Sequence, residues 1–456
     1  MSAASAASRP QQRAVFTEGS TLRHVTVMTA TGTIGLMAIF VVDLLSLFYV
    51  SRLGDQALKA AVGYASQVLF LSVSINIGLT IAISATTARA LGAGDRPRAQ
   101  RLAASGLIIA TAVSAVVAAG LFAFRGAILD QVMHAQGPAR DVADKFLAIT
   151  LPANIPFAIG MCLSGLLRAV GDARRAMYVT LVGGAVTAVT DPLLIFVAGL
   201  GVYGAAWATV ISRLVFLSVG LYGAVYIHGL VGRPARKAVF LDFRPIMGIG
   251  GPAILANLAT PAAAVYTTRI FSDFGEAAVA AIAVTDRIIP VAFGVIFALT
   301  GSIGPVLSQN LGAKLMVRVR RALTESFVLS IGYVLAAWAL LFLATPGIVA
   351  AFEARGESAH FIAFFCAFGV SAWVFIACLF VANTAFNNLG FPVLATLFNW
   401  GRATLGTIPF VTIGAKYWRV EGGMMGAVAG SALFGVAAVA TAYWVTARLA
   451  KRVESL

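Results

Sequence analysis

Apolar stretches of about 20 residues or more, the length an α-helix needs to cross bilayer hydrocarbon, recur along this chain between short polar interruptions. The pattern predicts twelve helices, near 24–50, 58–88, 103–124, 139–165, 175–198, 202–228, 246–271, 278–304, 322–344, 358–384, 392–414 and 423–447. Basic residues gather on alternate interruptions: Arg89, Arg96, Arg98 and Arg101; then Arg168, Arg174 and Arg175; then Arg233, Arg236, Lys237 and Arg244; then Lys314, Arg318, Arg320 and Arg321. Arg9, Arg13 and Arg23 at one end and Arg448, Lys451 and Arg452 at the other fall on the same side. The intervening loops carry the acids Asp55, Asp130, Asp141, Asp144, Asp273, Glu276, Glu353 and Glu357. Both termini are therefore expected in the cytoplasm.

The pattern also repeats. Leu53-Gly54-Asp55 answers Phe274-Gly275-Glu276, Leu91-Gly92-Ala93 answers Leu311-Gly312-Ala313, and Gly204-Ala205 answers Gly426-Ala427, at an offset of about 220 residues. Six helices per repeat give both halves one orientation, related by an axis along the membrane normal. The expected organisation is a tail (1–23), a six-helix lobe (24–228), a basic linker (229–245), a second six-helix lobe (246–447) and a short tail (448–456). Met1 to Ser20 is polar and rich in small residues, and reads as a disordered tail.

Composition agrees. The chain is 60% hydrophobic and only 11% charged, against roughly half and a quarter in soluble chains. The net charge of +15 is scattered in loop clusters, so it indicates loop orientation and no nucleic-acid partner. Cys162, Cys366 and Cys378 lie inside apolar stretches without paired spacing and read as buried thiols. No nucleotide-binding glycine loop, metal-like histidine spacing or other enzymatic constellation is present, so transport would draw on an ion gradient with no cofactor.

Two carboxylates interrupt the apolar pattern in the first half. Asp43 lies in the first stretch and Asp191, followed by Pro192, in the fifth. An intramembrane acid costs several kcal/mol unless paired, wetted or protonated, and marks an ion or substrate pathway. The repeat places Asp43 against Ala263 or Ala264, and Asp191-Pro192 against Ile408-Pro409. The proline is expected as a kink in both halves; the acid is kept in one. Cation chemistry is therefore expected in the N-terminal half. Thr187 lies one turn before Asp191, and Tyr203, Thr209 and Arg213 follow on the next helix; Asn154 is a further cavity candidate. Ser72, Asn76, Thr80 and Ser84, at steps of four, form a polar stripe that reads either as cavity lining or as interhelical packing. A structural ion pair of the acids with Arg213 is the alternative to a coupling site. Asp286, Arg287 and Arg402 are the charges of the second half, read as structural.

These residues resemble the multidrug and toxic compound extrusion (MATE) transporters from about Met28 to Arg448. The resemblance is carried by Asp43 ahead of Ser51-Arg52-Leu53-Gly54, Leu91-Gly92-Ala93-Gly94-Asp95, Leu167-Arg168-Ala169-Val170-Gly171-Asp172, Asp191-Pro192-Leu193-Leu194-Ile195-Phe196, Gly204-Ala205-Ala206-Trp207-Ala208-Thr209, Gly251-Pro252-Ala253 and Gln309-Asn310-Leu311-Gly312-Ala313. It implies twelve helices in two lobes around a central cavity, and export of amphipathic organic cations in exchange for H⁺ or Na⁺. It also implies that Asp43 and Asp191 bind the coupling cation with help from Thr209. A monomer in a bacterial inner membrane is the default expectation, which the sequence itself leaves open. Thr187 stands where the family usually has asparagine, and Met28 where the first helix often has proline. The C-lobe acids of the Na⁺-coupled bacterial branch have no match. These departures favour the branch named for a DNA-damage-inducible member (DinF-like) and H⁺ over Na⁺. The rivals are a flippase of lipid-linked or polysaccharide precursors, a channel, and an integral-membrane enzyme.

Overall fold

A computed structural model describes residues 14–232 and 236–455; Arg9, Arg13, Arg233 and the rest of residues 1–13 lie outside them. Among the described residues the fold is helical throughout. The first half comprises α1 (Thr21–Ser51), α2 (Gln56–Gly92), α3 (Arg96–Ala127), α4 (Gly137–Thr150), α5 (Asn154–Ala169), α6 (Ala173–Pro192) and α7 (Val202–Leu221). The second comprises α8 (Arg236–Ser272), α9 (Glu276–Gly312), α10 (Met316–Ala351), α11 (Gly356–Ala367), α12 (Ala372–Leu389), α13 (Pro392–Ala403) and α14 (Ile408–Glu454). Short polar residues start the helices. Asp55, Asp95 and Asp172 each accept from a backbone amide of the first turn, the chemistry that makes Asp a favoured N-cap.

Ten helical stretches among the described residues are long and apolar enough to cross a membrane. Two more spans come from breaks. The expected span at 139–165 is α4 and α5, bent by 54° where Pro152 cannot continue the helical hydrogen bonds. The 63-residue run from Pro392 to Glu454 would be about 95 Å long as one helix, three times the hydrocarbon thickness. It reverses at Trp418 and Arg419, whose φ of 51° is left-handed. Glycines let the two arms touch backbone to backbone: a Cβ on Gly414 would lie 2.0 Å from the carbonyl oxygen of Gly422, and one on Gly426 would lie 2.1 Å from that of Phe410. The run is a helical hairpin, and the described residues make twelve spans.

Three expectations change. Residues 236–245 are helical, forming the first turns of α8 rather than linker, and α14 continues to Glu454 where a tail was expected. Val15–Thr17 form a short 3₁₀ turn, and Phe16 is buried in the core of the second half with Val25, Leu307, Leu323 and Leu379. Met1 to Ser20 is therefore not disordered over its last residues; one aromatic side chain supplies the apolar area that the composition hides.

The lobes α1–α7 and α8–α14 meet on the half of the molecule that carries the described chain ends. There a Cβ on Gly92 would meet Gln309 at 2.0 Å, one on Gly312 would meet Arg89 at 2.1 Å, and one on Gly78 would meet Ile254 at 2.5 Å. Every residue of α9 from Ser302 to Asn310 is buried. On the other half the same helices expose Ser66, Gln67, Phe70, Asp286, Arg287 and Val291. The cleft between the lobes opens on that side.

Candidate functional site

The site is built where α1 packs on α6. Gly35 and Gly184 allow close approach: a Cβ on Gly35 would overlap Thr180, and one on Gly184 would touch Val42 and Ala38. Two turns further along, this contact brings Ser46 to Asp191, and the Ser46 hydroxyl donates to Asp191 Oδ2. Asp191 is 1% exposed, and its Oδ1 has no hydrogen-bond partner. Pro192 removes one helical donor and is followed by a π-helical turn, Leu193–Val197. Such bulges cluster at functional sites and loosen the backbone around them. Ser46 was not singled out from the sequence, although it lies one turn from Asp43 on the same helix.

Asp43 faces the cleft. Val27, Ile34, Val41 and Phe48 are exposed at steps of seven and form the lipid stripe of α1. Asp43 follows Ile34 by nine residues, which at 3.6 residues per turn is the opposite side of the helix. It is exposed and close enough to Asp191 for their charges to interact.

The other expected residues divide. Thr187 and Thr209 are half-buried, and their hydroxyls donate to Gly183 O and Ala205 O of their own helices at 3.1 and 2.9 Å. Ser72, Asn76, Thr80 and Asn154 do not line the cleft. All are buried, with Asn76 Nδ2 donating to Asn154 Oδ1 at 3.0 Å, Thr80 donating to Asn76 O, and Ser84 donating to Gly165 O. The stripe joins α2 to α5 inside the lobe, because small hydroxyl side chains let these helices approach. Tyr203 packs against the apolar cluster of the first lobe that includes Val50, Leu147 and Val202. Arg213 is buried and pairs with neither acid; it donates to Thr150 O at 3.0 Å and lies over the Phe157 ring at 5.1 Å. The carbonyl is free because α4 ends at Thr150, and the aromatic face supplies a second partner for the cation. Among the described residues, then, neither Asp43 nor Asp191 forms the structural pair with Arg213.

In the second half Asp286 and Arg287 are exposed, while Arg402 is buried with its Nε unpartnered. None of the three forms an ion pair with another described residue. Pro409 also departs from expectation. It sits in the first turn of α14, after a break at 404–407, so it starts a helix where Pro192 lies inside a span, ahead of a π-turn.

Comparison with known proteins places this geometry. The MatE family model matches twice, at residues 33–193 and 252–413, once in each half. The FAD transporter of Shewanella oneidensis is 26% identical, covering 94% of this chain and 95% of that protein. A probable multidrug resistance protein NorM of Deinococcus radiodurans is 27% identical over 65% of each chain. The crystal structure of the Vibrio cholerae MATE transporter VcmN in the bent form superposes with a TM-score of 0.88 at 22% identity, covering 95% of this chain and 98% of that one, and shares the fold. With the family model covering both repeats, the chain belongs to the MatE family, and is an integral membrane transporter and not an enzyme.

Proposed function

We propose that this chain is a secondary multidrug efflux transporter that exports amphipathic organic cations in exchange for H⁺, with Na⁺ as the alternative ion. One observation carries the reading. Asp191 is a carboxylate within a bilayer-length helix, sealed from solvent, with one oxygen held by Ser46 and the other unpartnered. An unpaired charge there costs several kcal/mol, so the site favours a proton or a cation as its partner. Asp43 stands at the mouth of the same site, open to the cleft. A cationic substrate and the coupling ion compete for this negative charge, and the competition links their movements in opposite directions. Thr187 and Thr209 keep hydroxyl lone pairs free while donating along their helices, which suits them to a supporting place beside the cation. The threonine at 187 supplies no amide carbonyl for Na⁺, which favours H⁺ and the DinF-like branch. The loop charges favour cytoplasmic termini in a bacterial inner membrane, and we take the working unit to be a monomer.

The test uses everted vesicles holding wild type or Asp191→Asn. Uptake of a fluorescent organic cation is followed under an imposed proton gradient and then under a Na⁺ gradient. Proton-driven uptake that disappears in the mutant supports the reading. Uptake driven only by Na⁺ replaces the ion, and unchanged uptake in the mutant removes Asp191 from coupling.

A second reading rests on Arg402, buried with an unpartnered Nε and without an acid. An unpaired cation suits an anionic amphipath, and the Shewanella oneidensis relative is a FAD transporter. FAD offered to the same vesicles separates the two readings. Uptake lost in Arg402→Gln and retained in Asp191→Asn would favour the anion.

A further inference from the structure

The segment ahead of α1 is bolted into the seam between the lobes. Phe16 is 1% exposed and sits in the core of the second lobe with Leu307, Leu323 and Leu379. Its backbone is held by that lobe as well. Phe16 N donates to Gln309 Oε1 at 2.9 Å, and Asn310 Nδ2 donates to Phe16 O at 3.0 Å. Arg318 donates to Phe16 O, Glu18 O and Gly19 O at 2.9–3.1 Å. On its other side Val15 lies against the first lobe, 3.2 Å from where a Cβ on Gly171 would be. Gln309 closes the junction. It is 1% exposed, and while its oxygen holds the strap its Nε2 donates to Ala169 O of the first lobe at 2.7 Å. Thr21, the first residue of α1, donates to Glu325 of α10 at 2.5 Å.

All of these contacts fall on the closed half of the molecule. Opening the cleft on that side separates Ala169 and Gly171 from Gln309, so the strap, anchored to both lobes, must let go of one of them. The geometry points to Val15–Ser20 as a latch: a strap whose Phe16 plug and Gln309 clamp hold this side shut and set the balance between the two open states. In the proposed function the two acids bind the driving ion; the strap sets how readily the gate yields.

The experiment measures the gate without substrate or gradient, so its outcome is independent of the transported molecule and coupling ion. Cys162, Cys366 and Cys378 are buried, which lets introduced cysteines be spin-labelled in the full chain in lipid nanodiscs. One pair, Arg174→Cys with Val317→Cys, spans the closed side; another, Gln56→Cys with Asp273→Cys, spans the open cleft. All four positions are exposed. The strap is weakened in two independent ways: Phe16→Ala removes the plug, and Arg318→Gln removes the guanidinium's hydrogen bonds to the three carbonyls with Phe16 in place, leaving Phe16 O to Asn310 alone. The expected result is a longer-distance population on the closed side and a matching shorter one across the cleft. The closed-to-open ratio should fall about tenfold or more in Phe16→Ala, the scale that losing one buried aromatic contact permits. Phe16→Leu should restore most of it. A strap that is only a structural ornament would leave the cleft pair unmoved, and unchanged distances at both pairs in the two variants overturn the latch.

Discussion

The two lobes share a repeat and differ in what they place at equivalent points. In the first, Asp191 is buried at the end of α6, touched by Ser46 and followed by a proline and a π-turn. In the second, Ile408 is exposed and Pro409 sits in the opening turn of α14, after a break. Opposite Asp43 the second lobe has Ala263, buried against Ala259 and Ala403, or the exposed Ala264. The same proline therefore precedes a π-turn inside a span in one lobe and begins a helix in the other. The two copies share a backbone plan, and the buried acid stands in one of them.

The largest effect should come from breaking the scaffold of the second lobe. Gly414→Leu puts a side chain where a Cβ already lies 2.0 Å from the Gly422 carbonyl. The hairpin cannot close, and destabilisation of about 3 kcal/mol or more is expected, read as lost melting temperature and monodispersity in detergent. Next comes moving the acid. Asp191→Asn should lower gradient-driven uptake by at least about tenfold, within the range of coupling between linked sites. Adding Ile408→Asp should not restore it, since that position is exposed and follows a break. Rescue by the second acid would make the lobes interchangeable and break the comparison.

Ser46→Ala sharpens it further. Both Asp191 oxygens would then lack a protein partner, and the apparent affinity for the driving ion should change about three- to tenfold, the worth of one typical hydrogen bond. Half-saturation of transport against ion concentration measures this.

The smallest effect lies outside the membrane, at Asp172 ahead of α6. Burial pushes its carboxyl up, but hydrogen bonds from His228 Nε2 and from the amide and guanidinium of Arg175 prevail and hold it well below the usual carboxylate range. A depressed folded-state value stabilises the protein above the unfolded-state value near 3.9, and the contribution fades as pH falls through the folded one. The melting-temperature gap between wild type and Asp172→Asn should be full at neutral pH and narrow below about pH 4. A gap independent of pH would show that Asp172 acts as a neutral cap.

Membrane class, span number, the repeat and the two acids were legible in the sequence, because each rests on a local signal: runs of apolar residues, loop charge, or a carboxylate where none is tolerated. The polar stripe shows where such reading ends. Ser72, Asn76 and Thr80 occupy one helix face, but whether that face meets water or α5 depends on helices distant in the chain. The bend at Pro152 was hidden inside an apolar stretch, whose composition does not record direction, whereas the reversal at Trp418 and Arg419 falls in the interruption expected between 392–414 and 423–447. Ser46 lacked distinction until packing of Gly35 and Gly184 carried it to Asp191. Phe16, one aromatic in a polar segment, became a plug only because α9 and α10 offered a pocket and a clamp. Composition and periodicity thus determined what enters the membrane and which charges are out of place there. Which groups touch, which face the cleft and which side is closed were decided by packing between distant helices, because those contacts depend on distance in space and have no counterpart in sequence spacing.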